Sequence, residues 1–291
     1  MVILGEIDST VIQDIKKTEE MLYSYYYNRF STYDKVYFET NEKCDKIISN
    51  YDVKDKTILT VLGSGDQAFQ FYNHGAKNVD LFDVNKLTIY YFYLRIWHIR
   101  KYGKMYPKWC PKKEYIKELL SSVNPKNETE LKAYEYWSLF INKFNSDALH
   151  RFFHSPYNNG TYKKMDSSLL LDKIDNDDFD FYNIDISRLV DLEKKYDFIY
   201  TSNLSDYLSD ERLTIYRNNL YNHLNRGGVV LCSNLSGSIY CYKYCSQRRI
   251  MGRYFKFKRI SDWNKELFEM DDIGYSYKKR LIKRIIQSYY F

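Results

Sequence analysis

The segment TVLGSGDQAF, residues 60–69, has the residue spacing that most directly indicates chemistry. Gly63, Gly65 and Ala68 match the loose fingerprint G-x-G-x-x-A of a dinucleotide-binding turn. Glycines at such a turn let the backbone approach a ligand closely, and the helix that follows offers unpaired N–H groups. A P-loop is excluded because no G-K-[ST] follows the turn. The pattern therefore predicts a nucleotide-binding turn.

An acidic residue follows the turn at the spacing expected of a ribose ligand. Asp83 ends the run NVDLFD, twenty residues after Gly63. A carboxylate at this position can accept hydrogen bonds from both ribose hydroxyls of an adenosine. The alternative is a capping role at the helix that begins near Asn85. The spacing favours the ribose role and predicts an adenosine site.

The charge of Asp66 bears on which adenosine cofactor the turn would hold. Asp66 directly follows Gly65, close to where a dinucleotide would place its pyrophosphate. A carboxylate there would repel the pyrophosphate and attract the ammonium or sulfonium group of S-adenosylmethionine. The negative charge of Asp66 therefore favours S-adenosylmethionine over a nicotinamide dinucleotide. The sequence also contains no evident pair of residues for a hydride-transfer site.

Polar residues also follow two later strands of the predicted sheet. Asp185 follows the run FYNI and could reach an adenine amino group, and Asn203 follows DFIYTS. Ligands of such sheets bind beyond the carboxyl ends of the strands. The residues predicted to contact the cofactor are Gly63, Ser64, Gly65, Asp66, Gln67, Asp83, Val84, Asp185, Ile186, Ser202 and Asn203. The candidate catalytic residues are Asn203, Asp206 and Tyr207, and the alternative for the last two is a surface turn.

The elements that must position these residues alternate between strands and helices. Apolar or β-branched runs predict strands at 57–62, 78–83, 178–185, 196–203 and 227–235, with an edge-type strand at 254–260. Helices are predicted at 9–30, within 37–51 with Thr40 or Asn41 as the N-cap, and at 66–75, 85–103, 187–195 and 209–224. This alternation predicts an α/β fold with a doubly wound, mostly parallel sheet. We expect an N-terminal helical segment at 1–55 and an α/β domain at 56–291 with a helical insertion at about 104–170.

Four runs of residues resemble the S-adenosylmethionine-dependent transferase superfamily. They are VLGSGDQAF, NVDLFDVNKL with the long aromatic helix after it, YDFIYTSNLSDYL, and YFETNE before the first strand. More narrowly, they resemble the branch related to betaine-lipid synthase, which transfers a 3-amino-3-carboxypropyl group to diacylglycerol. The resemblance implies a Rossmann-like fold of the class I methyltransferase type and S-adenosylmethionine as the cofactor.

Two positions depart from the common methyltransferase pattern. Val61 stands where an acid is usual, two residues before the first glycine, and Gln67 stands where a third glycine is usual. The N-P-P-[YF] signature of amino-group nucleic-acid methyltransferases is absent. The resemblance therefore implies a transferase for an unknown acceptor, with methyl transfer first and aminocarboxypropyl transfer to a lipid or small metabolite as the alternative. A non-catalytic nucleic-acid or nucleotide-binding module is a second alternative.

Charge and composition bear on partners and location. The net charge is +6, yet residues 212–261 contain ten Lys or Arg and no Asp or Glu. This basic stretch predicts either a face for an anionic partner or a solvated surface that balances acidic segments elsewhere. The five scattered cysteines contain no C-x-x-C, and His150 and His154 lack the Glu of H-E-x-x-H, so we predict no metal site. The apolar runs are too short for a membrane span, and we expect a cytoplasmic protein, peripheral to a membrane if the acceptor is a lipid.

Overall fold

The computed structural model describes residues 7–23, 35–40, 44–103, 112–154, 167–176, 179–185, 194–202, 204, 208, 210–234, 253–259 and 268–272. The chain divides into two compact units. The first comprises Met1–Asp55 and Thr60–Asp185, and the second comprises Lys56–Leu59 and Ile186–Phe291.

The first unit contains most of the helices. Its helices are α1 (Ser9–Tyr23), α2 (Cys44–Ile48), α3 (Asp66–Asn73), α4 (Leu87–Tyr102), α5 (Lys113–Leu120), α6 (Glu128–Lys143), α7 (Ser146–Phe152) and α8 (Ser167–Asn176). Its strands are β1 (Val36–Tyr37), β3 (Asn78–Phe82), β4 (Phe153–His154) and β5 (Phe181–Tyr182). Strand β2 (Thr57–Val61) begins among residues of the second unit and ends in the first.

The described part of the second unit contains the later strands and a helix. Its elements are β6 (Tyr196–Ser202), α9 (Asp210–Asn222), β7 (Leu224–Asn234), β8 (Arg253–Arg259) and β9 (Phe268–Asp272). Strands β6 and β7 pair in parallel, with Ile199 opposite Val230 and Ser202 opposite Cys232. Strands β8 and β9 complete the series in antiparallel pairings.

The strand order reverses at β2. From β2 the hydrogen-bonded order runs through β3 to β5 in one direction, and through β6, β7 and β8 to β9 in the other. The pairing of β3 with β5 is parallel, as is that of β6 with β7. A parallel sheet with helices in its connections, and with the order reversing at its first long strand, is a Rossmann-like α/β fold. The predicted fold class is confirmed.

Helix α4 forms the centre of the first unit. Every side chain from Leu87 to Ile99 is buried, so this helix is covered on all sides. Tyr90 stacks on Tyr136 of α6 with ring centroids 4.6 Å apart, and its hydroxyl donates to Asp14 of α1 at 2.6 Å. The aromatic residues that crowd this sequence thus fill a core between helices, as large apolar groups with polar tips do.

Two of the predicted elements differ from the structure. The helix predicted within 37–51 spans only Cys44–Ile48, and Tyr37 before it belongs to the short strand β1, which pairs in parallel with β4. The strand at 253–259 is not an edge strand, because it lies between β7 and β9. Strand pairing of this kind is not recorded in local periodicity.

Other predicted elements are confirmed with shifted ends. The insertion at 104–170 is helical where it is described, with a two-residue strand at its end. The strand predicted at 178–185 is only Phe181–Tyr182, and β7 begins at Leu224 rather than at residue 227. Part of the first predicted helix, residues 24–30, lies outside the described residues, as does most of the helix predicted after Asp185.

Substitution of Gly65, in the turn between β2 and α3, should destabilise the fold. Gly65 has a φ of +85°, and a Cβ added to it would lie 2.6 Å from Cδ2 of Phe92, which is stacked on Phe69. We expect Gly65→Ala to destabilise the protein by about 2–4 kcal/mol through backbone strain and overpacking. Urea unfolding followed by circular dichroism measures this.

Gly103→Ala is the matched control for that variant. Gly103 also has a positive φ, +63°, but no described atom lies within 4 Å of the position its Cβ would take. Its substitution should therefore cost only the backbone strain, about 1–2 kcal/mol. Equal destabilisation by the two variants would contradict the packing role assigned to Gly65.

Candidate functional site

The glycine turn is the first component of the candidate site. Gly63 has a φ of +51° and Gly65 a φ of +85°, and the Gly65 N–H donates to the Leu62 carbonyl at 2.6 Å. A Cβ placed on Gly63 would have no described atom within 4 Å, so the described residues leave space beside this glycine. The turn therefore has the room for close backbone approach that the fingerprint predicts.

Asp83 lies at the carboxyl end of β3 and is hydrogen-bonded to the glycine turn. Its Oδ2 accepts from the Gly63 N–H and its Oδ1 from the Asn85 N–H, both at 2.9 Å. The carboxylate is 9% exposed. Each carboxylate oxygen has two acceptor positions, so a ribose hydroxyl could bind beside these two N–H groups by replacing the weaker interactions with the Thr88 side chain and the Val84 N–H. The local capping interaction and the ribose role are thus compatible in one side chain.

Burial governs the ionisation of Asp83. Desolvation raises the pKa of Asp83 from its ordinary value of 3.8 to about 6, against hydrogen bonds from the Asn85 and Gly63 N–H groups that lower it. The group is therefore mostly ionised at neutral pH, the state in which both of its oxygens accept hydrogen bonds.

The loop after β3 is fixed by a residue that the sequence did not indicate. The Asn183 Nδ2 donates to the carbonyls of Asp83 and Val84, at 2.9 and 3.0 Å. Val84 itself is 44% exposed and follows the buried carboxylate directly. If Asp83 contacts a ribose, this apolar side chain is suited to contact with the flat face of a nucleobase.

Asp66 is engaged in a buried ion pair. Its Oδ1 lies 2.8 Å from an Nη of Arg95, with side chains that are 3% and 1% exposed respectively. Its Oδ2 accepts from the Ser64 hydroxyl at 2.6 Å and from the Thr40 N–H at 2.7 Å. The sequence favoured a sulfonium cofactor on the assumption that the negative charge of Asp66 has no partner. Because Arg95 neutralises this charge, Asp66 gives no electrostatic preference for a sulfonium.

Residues 38–40 lie against the first turn of α3. In addition to the Thr40 N–H bond to Asp66, the Gln67 side-chain amide donates to the Thr40 hydroxyl at 3.4 Å. The Phe38 carbonyl accepts from the Tyr91 hydroxyl at 2.8 Å, which attaches this segment to α4. Gln67 is buried, and its amide joins α3 to the segment 38–40.

The remaining candidate residues lie in both units or outside the described residues. Asp185 is half-buried, and it lies three residues beyond the end of β5 in the first unit. Ser202 ends β6 in the second unit with a φ of +52°, a conformation that non-glycine residues rarely adopt outside constrained sites. Ile186, Asn203, Asp206 and Tyr207 lie outside the described residues, so their predicted roles stay predictions.

Sequence reasoning missed Arg95, Thr40 and Asn183. Arg95 had a signal, because it is the one charged residue between Leu87 and Ile99 in a run that is otherwise apolar, aromatic or neutral. A single arginine in such a run requires a carboxylate partner, since unpaired charges are rarely buried. Thr40 acts through its backbone N–H, which no side-chain pattern could indicate.

The predicted anionic partner concerns residues 212–261, of which the structure describes a part. Arg212 and Arg226 are exposed. Most of the other basic side chains of this stretch fall outside the described residues. Among the helices that are described, none combines the length and the apolar character needed to cross a bilayer.

Comparisons with known proteins give distant similarities. No family model matches the chain. Over 190 residues the chain is 25% identical to a probable capsid protein 3 of Acanthamoeba polyphaga mimivirus. That match covers 62% of this chain and 8% of the viral protein, so the chain spans a small part of that relative's length.

Solved structures with similarity to the chain include methyltransferases. The glycopeptide N-methyltransferase MtfA with S-adenosyl-L-homocysteine is 11% identical, with a TM-score of 0.36 and coverage of 87% of this chain and 80% of that one. The N-methyltransferase NodS of Bradyrhizobium japonicum WM9, also with S-adenosyl-L-homocysteine, is 12% identical, with a TM-score of 0.33 and coverage of 81% and 79%. TM-scores this low support no inference about the activity of this chain.

The raised pKa of Asp83 predicts a pH dependence of stability. Between pH 4 and 6 the unfolded chain ionises this group while the folded chain keeps the proton, so the free energy of unfolding falls as pH rises. Well above pH 6, Asp83 is ionised in both the folded and the unfolded chain, and the free energy of unfolding falls no further through this group. The wild type should lose up to about 3 kcal/mol across this window relative to Asp83→Asn, at about 1.4 kcal/mol for each pKa unit.

Urea unfolding of the two proteins at intervals from pH 4 to pH 7 measures this difference. Taking the difference between them cancels the titration of other groups. Parallel stability profiles would show that burial does not raise the Asp83 pKa.

Proposed function

We propose that this chain is an S-adenosylmethionine-dependent transferase whose adenosine binds at Asp83 and the glycine turn. The observation that carries the proposal is the hydrogen bond from the Gly63 N–H to the Asp83 carboxylate, beside space at Gly63 and an exposed Val84. Together these groups offer acceptors for a ribose, backbone room for the nucleoside and an apolar contact for the base.

A second observation favours S-adenosylmethionine over a dinucleotide. A dinucleotide places its pyrophosphate at the N-terminus of the helix after the turn, where free N–H groups attract it. Here residues 38–40 contact the first turn of α3 through Asp66 and Gln67. A pyrophosphate would have to displace that segment, whereas an adenosyl thioether or sulfonium carries no phosphate.

The cofactor would supply an electrophilic carbon, because a sulfonium activates each of the carbons bonded to it. The task of the protein is then to hold the nucleoside, align the acceptor nucleophile and, where needed, remove its proton. Asp83 and the turn would serve the first task. Asn203, Asp206 and Tyr207 are the candidates for the other two, by their position after β6 in the sequence.

The resemblance in sequence leaves two reaction types. Methyl transfer yields S-adenosylhomocysteine, and we propose it first because it is the commoner reaction of the superfamily. Aminocarboxypropyl transfer, the reaction of the betaine-lipid synthase branch, yields methylthioadenosine. The acceptor would be a small molecule or a lipid. If it is a lipid, the basic stretch at 212–261 would be the surface attracted to anionic headgroups.

Calorimetry with four ligands tests the proposal. S-adenosylmethionine and S-adenosylhomocysteine should bind the wild type, and NAD should not. Tighter binding of S-adenosylhomocysteine than of methylthioadenosine would favour methyl transfer, and the reverse order would favour aminocarboxypropyl transfer. Binding of NAD alone would overturn the proposal.

Asp83→Asn should weaken the binding of adenosyl ligands at least tenfold at pH 7.5, since it removes acceptors for the ribose hydroxyls. Asp80→Asn is the matched control, because Asp80 is a buried carboxylate of the same strand that accepts from the Asp180 N–H at 3.0 Å. That control should change affinity less than twofold. Equal losses in the two variants would contradict the ribose assignment.

Co-sedimentation with vesicles tests the lipid acceptor separately. If the acceptor is a lipid, the chain should pellet with phosphatidylglycerol vesicles at low salt and be released at high salt, because attraction to a charged surface is screened. Absence of pelleting at low salt would count against a lipid and leave a small-molecule acceptor.

A further inference from the structure

We infer that Asp66 and Arg95 are positioning residues that hold the glycine turn in its ligand-binding shape and do not themselves contact the cofactor. This inference rests on the proposed function, because it concerns the turn at which the adenosine would bind. It replaces the role in which Asp66 attracts a cationic sulfonium.

The pair connects three segments of the first unit. Arg95 projects from α4, Asp66 begins α3, and the second carboxylate oxygen of Asp66 accepts from the Thr40 N–H at 2.7 Å. The Ser64 hydroxyl donates to the same oxygen at 2.6 Å. The Asp66 carboxylate thus accepts from Arg95, the Thr40 N–H and the Ser64 hydroxyl in one buried cluster.

Arg95 also fixes the peptide between Ser64 and Gly65. An Nη of Arg95 donates to the Ser64 carbonyl at 2.5 Å, while the Gly65 N–H on the other side of the same peptide donates to the Leu62 carbonyl at 2.6 Å. A flip of this peptide would break both bonds. The plane of the turn is therefore held from both sides, and its orientation is set before any ligand arrives.

The guanidinium of Arg95 is itself held in place by aromatic rings. Its central carbon lies 4.8 Å from the ring centroid of Phe69 and 5.9 Å from that of Tyr91. A planar group with several donors can bond Asp66 and the Ser64 carbonyl at once while it packs on a ring. A lysine ammonium has the charge without this geometry, so the two residues are not equivalent at this site.

The affinities of two ligands distinguish a positioning role of Asp66 from direct contact with the cofactor. If Asp66 met the sulfonium, its loss would weaken S-adenosylmethionine, which is cationic at sulfur, more than S-adenosylhomocysteine, which is neutral there. If Asp66 only shapes the turn, both ligands lose affinity by the same factor, because both use the same turn and the same ribose contacts.

The experiment measures the dissociation constants of both ligands by calorimetry for the wild type, Asp66→Asn, Arg95→Met, Arg95→Lys and the double variant Asp66→Asn/Arg95→Met. Each single variant should weaken both ligands at least fivefold, with the ratio of the two constants unchanged within twofold. The double variant should bind better than Arg95→Met, because it leaves no unpaired buried charge.

Arg100→Met serves as the control for loss of an ion-paired arginine from the same helix. Arg100 pairs with Glu130 and Asp175, away from the turn. This variant should lower the melting temperature without changing either dissociation constant. Melting temperatures of all variants identify those that fold. If Asp66→Asn and Arg95→Met do not fold, the charge-conserving Arg95→Lys and the double variant decide the comparison.

The possible results separate the two proposals. A selective loss of S-adenosylmethionine binding in Asp66→Asn would overturn the positioning role and restore direct contact with the cation. Folded variants that bind both ligands as the wild type does would overturn it as well. A wild type that binds neither ligand would overturn the proposed function itself, and with it the premise of this inference.

Discussion

The buried ion pair between Arg95 and Asp66 is the interaction on which the rest of the site depends. Two charges with side chains 1% and 3% exposed are costly to remove from water, and the cost is offset only when their hydrogen bonds are well satisfied. Here Arg95 donates to the Ser64 carbonyl of the turn, and Asp66 accepts from the Ser64 hydroxyl and from the Thr40 N–H in the segment before α2. Removing one partner of such a pair generally costs about 3–5 kcal/mol. The shape of the glycine turn is therefore tied to the packing of α4.

The second half of the site depends on the loop that follows β3. Asp83 bonds the turn through the Gly63 N–H, and Asn183 bonds the loop carbonyls from the end of β5. Side-chain hydrogen bonds thus join the ends of β3 and β5 to the glycine turn, in addition to strand pairing. Burial raises the pKa of Asp83 to about 6, so the carboxyl is still mostly ionised at neutral pH, the state that the proposed ribose contact requires.

The sequence predicted the features that depend on short-range spacing. The glycines of the turn, Asp83 at the next strand end and the alternation of strands with helices all follow from local rules, and the structure has them. What the sequence could not supply was the partner of each polar group. Asp66 looked like a free charge because Arg95 is 29 residues away, and the short strand at Tyr37 was not predicted because its partner, His154, comes from the end of the helical insertion. Long-range pairing thus neutralised one charge and added one short strand.

The measurement that tests the central claim most directly is a crystal structure of the chain with S-adenosylhomocysteine. The account predicts a ribose hydroxyl within hydrogen-bonding distance of the Asp83 carboxylate, the nucleoside against Gly63, and the Asp66–Arg95 pair intact beneath the turn. A nucleoside bound elsewhere, or a ligand that displaces Arg95 to contact Asp66 directly, would contradict it.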